Sequence, residues 1–486
     1  MRSLSNFLEV FNVKNYTKDK KIKFLALVIM TITLILVRNW TIASYWLIIP
    51  IAVNTVLMFC GIMNEFEVIM YSLIMPSEIF NFLGIGIATL SWLFKIAFKK
   101  INLNLSKKDN MLFILIIFML VSAFVSCIVN KTLLSAIFTL GYIFVMFFIY
   151  RITVACNYSI SKIQKVFNVI LIIQLIMMIV QFYYYGIFEP SDSFSGTFVN
   201  AHRLCVWLIW CFLINIIAIK ERRYILKTDI LKLIILLVMI YLTDGKHIVA
   251  SFIAIALFWF ILDKIKYLRD RKVLTTGILI LLGLYAVTNI SHNNLFKENI
   301  KSKSEYVYRY IYEPPYNNKF NYFDKTLNNN LRGYKLFLGF GPGQYGSRVA
   351  NLRAYEYMVK EDSLAITLSK FIPPHVTEPY KEFAKEYNQE YLDFVKDMSA
   401  VLSYPFSSIM AVIAEFGILG YLLYLLFFNS IERNSNNKIY SIFPMIILVL
   451  MIFDSYFEMT SVVTFFWIIM GISQNKDEQN RKGTII

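Results

Sequence analysis

"MLFILIIFMLVSAFVSCIV", residues 111–129, runs nineteen residues without a charged side chain. As α-helix such a run covers about 29 Å, close to the ~30 Å of hydrocarbon in a bilayer. Further apolar blocks fall near 22–37, 41–61, 79–98, 132–150, 163–185, 201–219, 224–242, 247–262, 273–290, 407–429, 439–454 and 457–473. The 486-residue chain is 58% hydrophobic and 16% charged, with a mean hydropathy of +0.58. A soluble protein of that length carries far more charge. These features predict an all-α, polytopic helical membrane protein with about 13–14 transmembrane segments and one large outer loop.

Charge placement sets the expected sidedness. The formal net charge is +16, yet residues 291–405 hold 15 Lys/Arg against 13 Asp/Glu, so nearly all the excess lies in the short linkers and termini. That is the positive-inside bias rather than a nucleic-acid footprint. Placing "KKINLNLSKK" (99–108), "KERR" (220–223), "DKIKYLRDRK" (263–272) and "ERNSNNK" (432–438) inside makes every span from 79 onward alternate. The expected domains are an N-terminal membrane bundle (1–290), an extracytoplasmic loop (291–405) and C-terminal membrane helices with a cytoplasmic tail (406–486). The expected location is the cytoplasmic (inner) membrane, with both termini cytoplasmic. Thirteen crossings would put the basic N-terminus outside, so "EFEVIMYSLIMP" (65–76) is either a short fourteenth crossing or a re-entrant half-helix. No CxxC spacing marks a zinc site among the five cysteines, and no internal repeat marks an inverted-repeat transporter.

With that topology all four histidines, His202, His247, His292 and His375, fall on the outer side. Five stretches carry candidate chemistry. In "SDSFSGTFVNAHRLCVWL" (191–208), Gly196 and Asn200 make a turn, and Arg203 either grips a phosphate or reaches lipid headgroups. In "LTDGKHIVASF" (242–252), Lys246 and His247 open a span against the helix dipole, so Lys246 either holds an anion or pairs with Asp244. In "NNNLRGYKLFLGFGPGQYGSR" (328–348), Arg332 and Arg348 bracket Gly339, Gly341, Gly343 and Gly346. Tyr345 there is suited to stack on a sugar or to pack within the loop. "FIPPHVTEPYKEF" (371–383) supplies His375 and Glu378 as candidate bases, though a lone loop histidine also serves structure. Finally, Glu415 lies inside the apolar "SSIMAVIAEFGILGYLLYL" and must be paired or functional. No P-loop, G-x-G-x-x-G or D-x-D motif points to a nucleotide donor.

Together these blocks resemble the O-antigen polymerase and O-antigen ligase superfamily of polysaccharide-assembly membrane proteins. "SGTFVNAHR" looks like its G-T-F-x-N block, "DGKHIVASFIAI" like its basic span start, and "LRGYKLFLGFGPGQYG" like its Arg-led G-x-G-P-G-x-Y segment. "AEFGILGYL" is similar to its late E-x-G-x-x-G span. The resemblance covers roughly residues 160–430. It implies a glycosyltransferase class C-like fold, an outward site and a polyprenyl-pyrophosphate-linked glycan as donor and acceptor, with no metal and no cofactor. Arg203, Lys246 and Arg332 would grip the pyrophosphate, with Arg348, Tyr345 and Glu415 also binding substrate. His375, Glu378, His202 and His247 would be the catalytic candidates, His375 by chemistry rather than motif match. Two departures stand out. Ser193 replaces the arginine often found three residues before the G-T-F glycine, and "SYPFSS" (403–408) replaces the His-Asn pair of ligases.

The expectation is an inverting, metal-independent polymerisation of lipid-linked repeat units into capsular or O-antigen polysaccharide. A flippase and a chain-length regulator of the same pathway, together with membrane lipids, are the expected partners, and nucleic acid is not. A ligase-type transferase and a lipid-linked glycan flippase are the alternatives.

Single cysteines at positions 320 and 360 in a cysteine-free background are expected to react with an impermeant thiol reagent in cells or spheroplasts. One at position 268 is expected to stay unlabelled. Reversed labelling would overturn the outward site.

Overall fold

The computed structural model describes residues 18–39, 43–101, 110–130, 133–156, 158, 160–185, 194–198, 200–222, 224–291, 294–313, 318–353, 377–382, 384–385, 407–435 and 437–474. These residues are mostly helical and contain no strand. A helix stands at each of the thirteen expected spans. Seven helices are long and apolar enough to cross a membrane by length and composition: Glu78–Ala97, Asn110–Val129, Leu133–Cys156, Ile160–Tyr184, Ala201–Arg222, Lys246–Lys264 and Ser408–Asn434. Ser44–Phe59, Lys272–Thr288, Lys438–Phe453 and Thr460–Ile472 are shorter apolar helices. The chain divides into two compact units assembled from interleaved stretches. Unit one comprises Met1–Asn104, Phe148–Ala254 and Thr460–Ile486, and unit two comprises Leu105–Phe147 and Ile255–Met459. Residues 291–405 thus fall within unit two.

In unit one, α1 is Lys18–Asn39, α2 Ile48–Phe59, α3 Glu65–Leu73, α4 Glu78–Ala97, α5 Ile160–Tyr185, α6 Ala201–Arg222, α7 Lys227–Leu242 and α8 opens at Lys246. Helix α6 is apolar all round and accordingly buried, its Trp207 ring seated against Phe167 and Phe465. Polar contacts at the helix ends fix which ends lie together. At one end Lys23 pairs with Glu67, and Lys95 lies 2.5 Å from Glu65. At the other, Arg38 donates to Ser195 at 2.7 Å and Arg203 lies 2.7 Å from Glu78.

These pairs decide the course of 65–76. Helix α3 starts in a capping box, in which the Asn64 side chain accepts from Glu67 N at 2.9 Å while the Glu67 carboxylate accepts from Asn64 N at 3.1 Å. Glu65 thus sits beside Lys95, at the C-terminal end of α4, and α4 itself begins at the Arg203 end. Midway, Ser72 packs where a Cβ on Gly84 would stand, 2.3 Å away. Helix α3 therefore runs antiparallel to α4. Its nine helical residues are all buried, which is how so short a helix satisfies its ends.

In unit two, α9 is Asn110–Asn130, α10 Lys272–Ser291, α11 Asn318–Asp324, α12 Ser408–Asn434 and α13 Ile442–Phe453. Helix α12 is its spine. Glu432 accepts from Val273 N at 3.1 Å, and Tyr421 donates to the Gly277 carbonyl at 3.0 Å, tying α12 to α10. The spine is broken at Gly417, where φ is 69° and ψ −179°. A Cβ there would stand 2.1 Å from the Phe337 carbonyl oxygen. L-residues pay about 1–2 kcal/mol for left-handed φ even in open space. Gly417→Ala is therefore expected to lower the unfolding temperature and abundance of the detergent-purified protein. Gly86→Ala, whose Cβ meets nothing within 4 Å on α4, is expected to leave both unchanged or raised. Equal behaviour of the two variants would show that the break imposes no constraint.

Candidate functional site

Two polar centres stand out, one in each unit. The first gathers the expected clusters 191–208 and 242–252. Gln174 and Gln181, seven residues apart on one face of α5, clamp the turn before α6. Gln181 donates to the Gly196 carbonyl at 2.9 Å and accepts from Gly196 N at 3.0 Å, and Gln174 accepts from Thr197 N at 2.9 Å. Asn200 then caps α6, accepting from Arg203 N at 2.9 Å. The Asp244-Gly245 corner seats against Cys205 of the same helix, with Asp244 at φ 51°. The consequence is that the starts of α6 and α8 adjoin, and His202 and His247 meet edge to face, ring centroids 4.7 Å apart.

The cations here divide. Arg203 is buried with its guanidinium on Glu78, an anionic partner within the chain. Lys246 is 85% exposed, 3.1 Å from Asp244. An ion pair that exposed holds its lysine weakly, and an incoming anion competes for it. Two half-buried imidazoles, each able to donate or accept a hydrogen bond, beside an exposed ammonium make a centre able to hold a hydroxyl next to an anion.

The second centre is the glycine loop. Residues 339–347 are buried against the break in α12. The break leaves the Ala414 and Glu415 carbonyls without their helical donors, and Phe340 N and Gly341 N supply them at 2.8 and 2.9 Å. Ser122 and Ser126 of α9 donate to the Leu338 and Phe340 carbonyls at 3.1 and 3.0 Å. The Glu415 carboxylate accepts from Gly343 N at 2.7 Å and from Tyr345 N at 3.2 Å, and the Ser347 hydroxyl also reaches it. Glu415 is thus paired, as its burial requires, but with backbone N–H groups.

Tyr345 is fully enclosed. Its ring stacks on Phe340 at 5.0 Å and on Tyr322 at 6.0 Å, and its hydroxyl accepts from Asn330 at 2.7 Å. In this structure it packs the loop and offers no face to a sugar. Arg332 is exposed and turns back to the Asn328 carbonyl at 3.2 Å. Arg348 is half-buried and donates its backbone N–H to Glu458 at 2.5 Å. Arg332 and Arg348 belong to unit two and Arg203 and Lys246 to unit one, so neither unit alone contains the expected three-cation grip. Glu378 is exposed, 3.3 Å from Lys381. His375 and His292 lie outside the described residues.

Sequence reasoning placed Asp454 and Glu458 with the outer-side charges but passed over Lys319. Lys319 is 1% exposed and donates to the Phe453 and Ile452 carbonyls, capping the end of α13. Burial pulls its ammonium down to about 7, against Asp454, which favours the charge. Burial likewise pushes the Glu458 carboxyl up to about 7, with Asp454 adding to the rise while Arg348 opposes it. The one available signal was Asp454 and Glu458 standing between two apolar runs, "DSYFE".

Glu415→Gln keeps one side-chain acceptor for the two N–H groups, whereas Glu415→Leu leaves both unsatisfied at about 1–3 kcal/mol each. The expected order of unfolding temperature and abundance is wild type, Gln, then Leu. Wild-type values for the leucine variant would mean that the carboxylate does not hold the loop. Comparison with protein-family models, curated proteins and solved structures found no match to this chain, so its functional reading rests on the residues themselves.

Proposed function

We propose that this chain is a glycan polymerase acting on polyprenyl-pyrophosphate-linked repeat units at the outer face of a membrane. The observation that carries the reading is the contact between His202 and His247 beside exposed Lys246. The two sequence blocks concerned, each weak alone, belong to the polymerase-like pattern and are more than forty residues apart. In the proposed reaction a sugar hydroxyl of one lipid-linked unit attacks the anomeric carbon of another. The new C–O bond forms as the bond to pyrophosphate breaks, and polyprenyl pyrophosphate leaves with the electron pair. The hydroxyl proton passes to one imidazole of the His202–His247 pair. Charge building on the leaving pyrophosphate is met by Lys246, an interaction that strengthens as the bond breaks. Arg203, buried on Glu78, positions the start of α6 and is not a grip in this reaction.

The test is a strain lacking the gene, complemented with variants at matched protein abundance, with glycan ladders and lipid-linked intermediates resolved by gel. His202→Ala or His247→Ala is expected to abolish extension, since a general base typically contributes 10²–10⁴-fold, while single lipid-linked repeats accumulate. Normal ladders from both would remove the pair from the chemistry, and their loss only in His375→Ala would place the base there. Transfer to a different acceptor without lengthening would make the protein a ligase-type transferase.

A further inference from the structure

At the end of unit one opposite the histidines lies a cavity of about 320 Å³. Phe24, Leu27, Phe66 and Val169 give it an apolar lining. Around it stand Lys20, Lys23, Lys162 and Lys165 against one carboxylate, Glu67. Glu67 already holds Lys23 and caps α3, so Lys162 and Lys165 give the cavity an excess of positive charge. Lys162 and Lys165 are one helical turn apart on α5 and exposed, and Lys20 faces the same cavity from the start of α1. Like charges gathered over an apolar hollow are unfavourable unless an anion shares the site.

We infer that this cavity is a binding site for an anionic glycerophospholipid, with the phosphate among the lysines and a hydrocarbon chain along the apolar lining. A free phosphate would make no use of Phe24, Leu27 and Val169. The lysines favour a diffuse headgroup, since compact ammonium groups on flexible stems do not impose the fixed fork geometry of arginine. Basic pockets between membrane helices on the cytoplasmic side recognise lipid headgroups in this way. The inference is independent of the proposed glycan transfer.

The test uses the full chain in neutral detergent, with native mass spectrometry after adding equimolar phosphatidylglycerol and phosphatidylcholine. One phosphatidylglycerol is expected to be retained in preference to phosphatidylcholine. Lys162→Gln with Lys165→Gln, both exposed and outside the core, is expected to lower that retention about thirtyfold, roughly a factor of five per lysine. Val169→Trp, which fills the hollow and leaves every charge in place, is expected to lower it as well. Equal retention of the two lipids, a preference that survives the lysine changes, or retention unaffected by Val169→Trp would overturn the site. Displacement of the lipid by millimolar inorganic phosphate would make it a free-anion site and equally overturn the inference.

Discussion

Two carbonyl groups freed where α12 breaks at Gly417 have to be satisfied inside an apolar unit, and the packing of unit two follows from how this is done. An unpaired backbone group in such surroundings costs several kcal/mol. The loop 339–347 meets the demand with its own N–H groups, at Phe340 and Gly341, and Glu415 returns the favour for Gly343 and Tyr345. The exchange requires two backbones to approach closer than side chains allow. Gly417 is pressed against the Phe337 carbonyl and Gly339 against that of Glu415. The glycines of "GFGPGQYG" and of "EFGILG" are therefore two halves of one joint. Neither half is intelligible alone, because each answers hydrogen-bonding needs created by the other.

The joint also marks what the sequence made legible and what it did not. Helix positions followed from uninterrupted apolar runs, because run length and hydrocarbon thickness are set by the same geometry. A paired state for Glu415 followed from the cost of burying a carboxylate. Its partners did not follow, because backbone N–H groups some seventy residues away leave no mark in composition. The same blindness left Tyr345 open between a sugar and the loop, and in the structure Phe340, Tyr322 and Tyr380 enclose it. Aromatic residues in a polar loop read as surface until the loop is known to be buried.

In unit one the histidines were legible through charge alternation along the chain, which assigned His202 and His247 to one side before any contact was known. The partner of Arg203 within the chain was not legible, for a specific reason. An arginine at a helix start needs an anion, and lipid or substrate are the anions a local reading supplies. Glu78 lies 125 residues earlier and opens a different helix. The ion pair is useful to the fold because it joins two helix starts, and a carboxylate at the N-terminus of α4 also suits that helix dipole.

The charge order within unit one carries the argument one step beyond loop counting. Glu65 and Glu67 open α3 at the end where Lys23 and Lys95 lie, so the carboxylates at that end are already matched by lysines within the fold. The lysines of 162 and 165 are added to this balanced set and leave it net basic. At the other end the cations Arg38 and Arg203 are spent on Ser195 and Glu78. The basic excess at this end is therefore carried on helices α1 and α5 as well as on the linkers. Because Lys162 and Lys165 stand on helix α5 rather than on a linker, this excess keeps its place along the chain's packed elements.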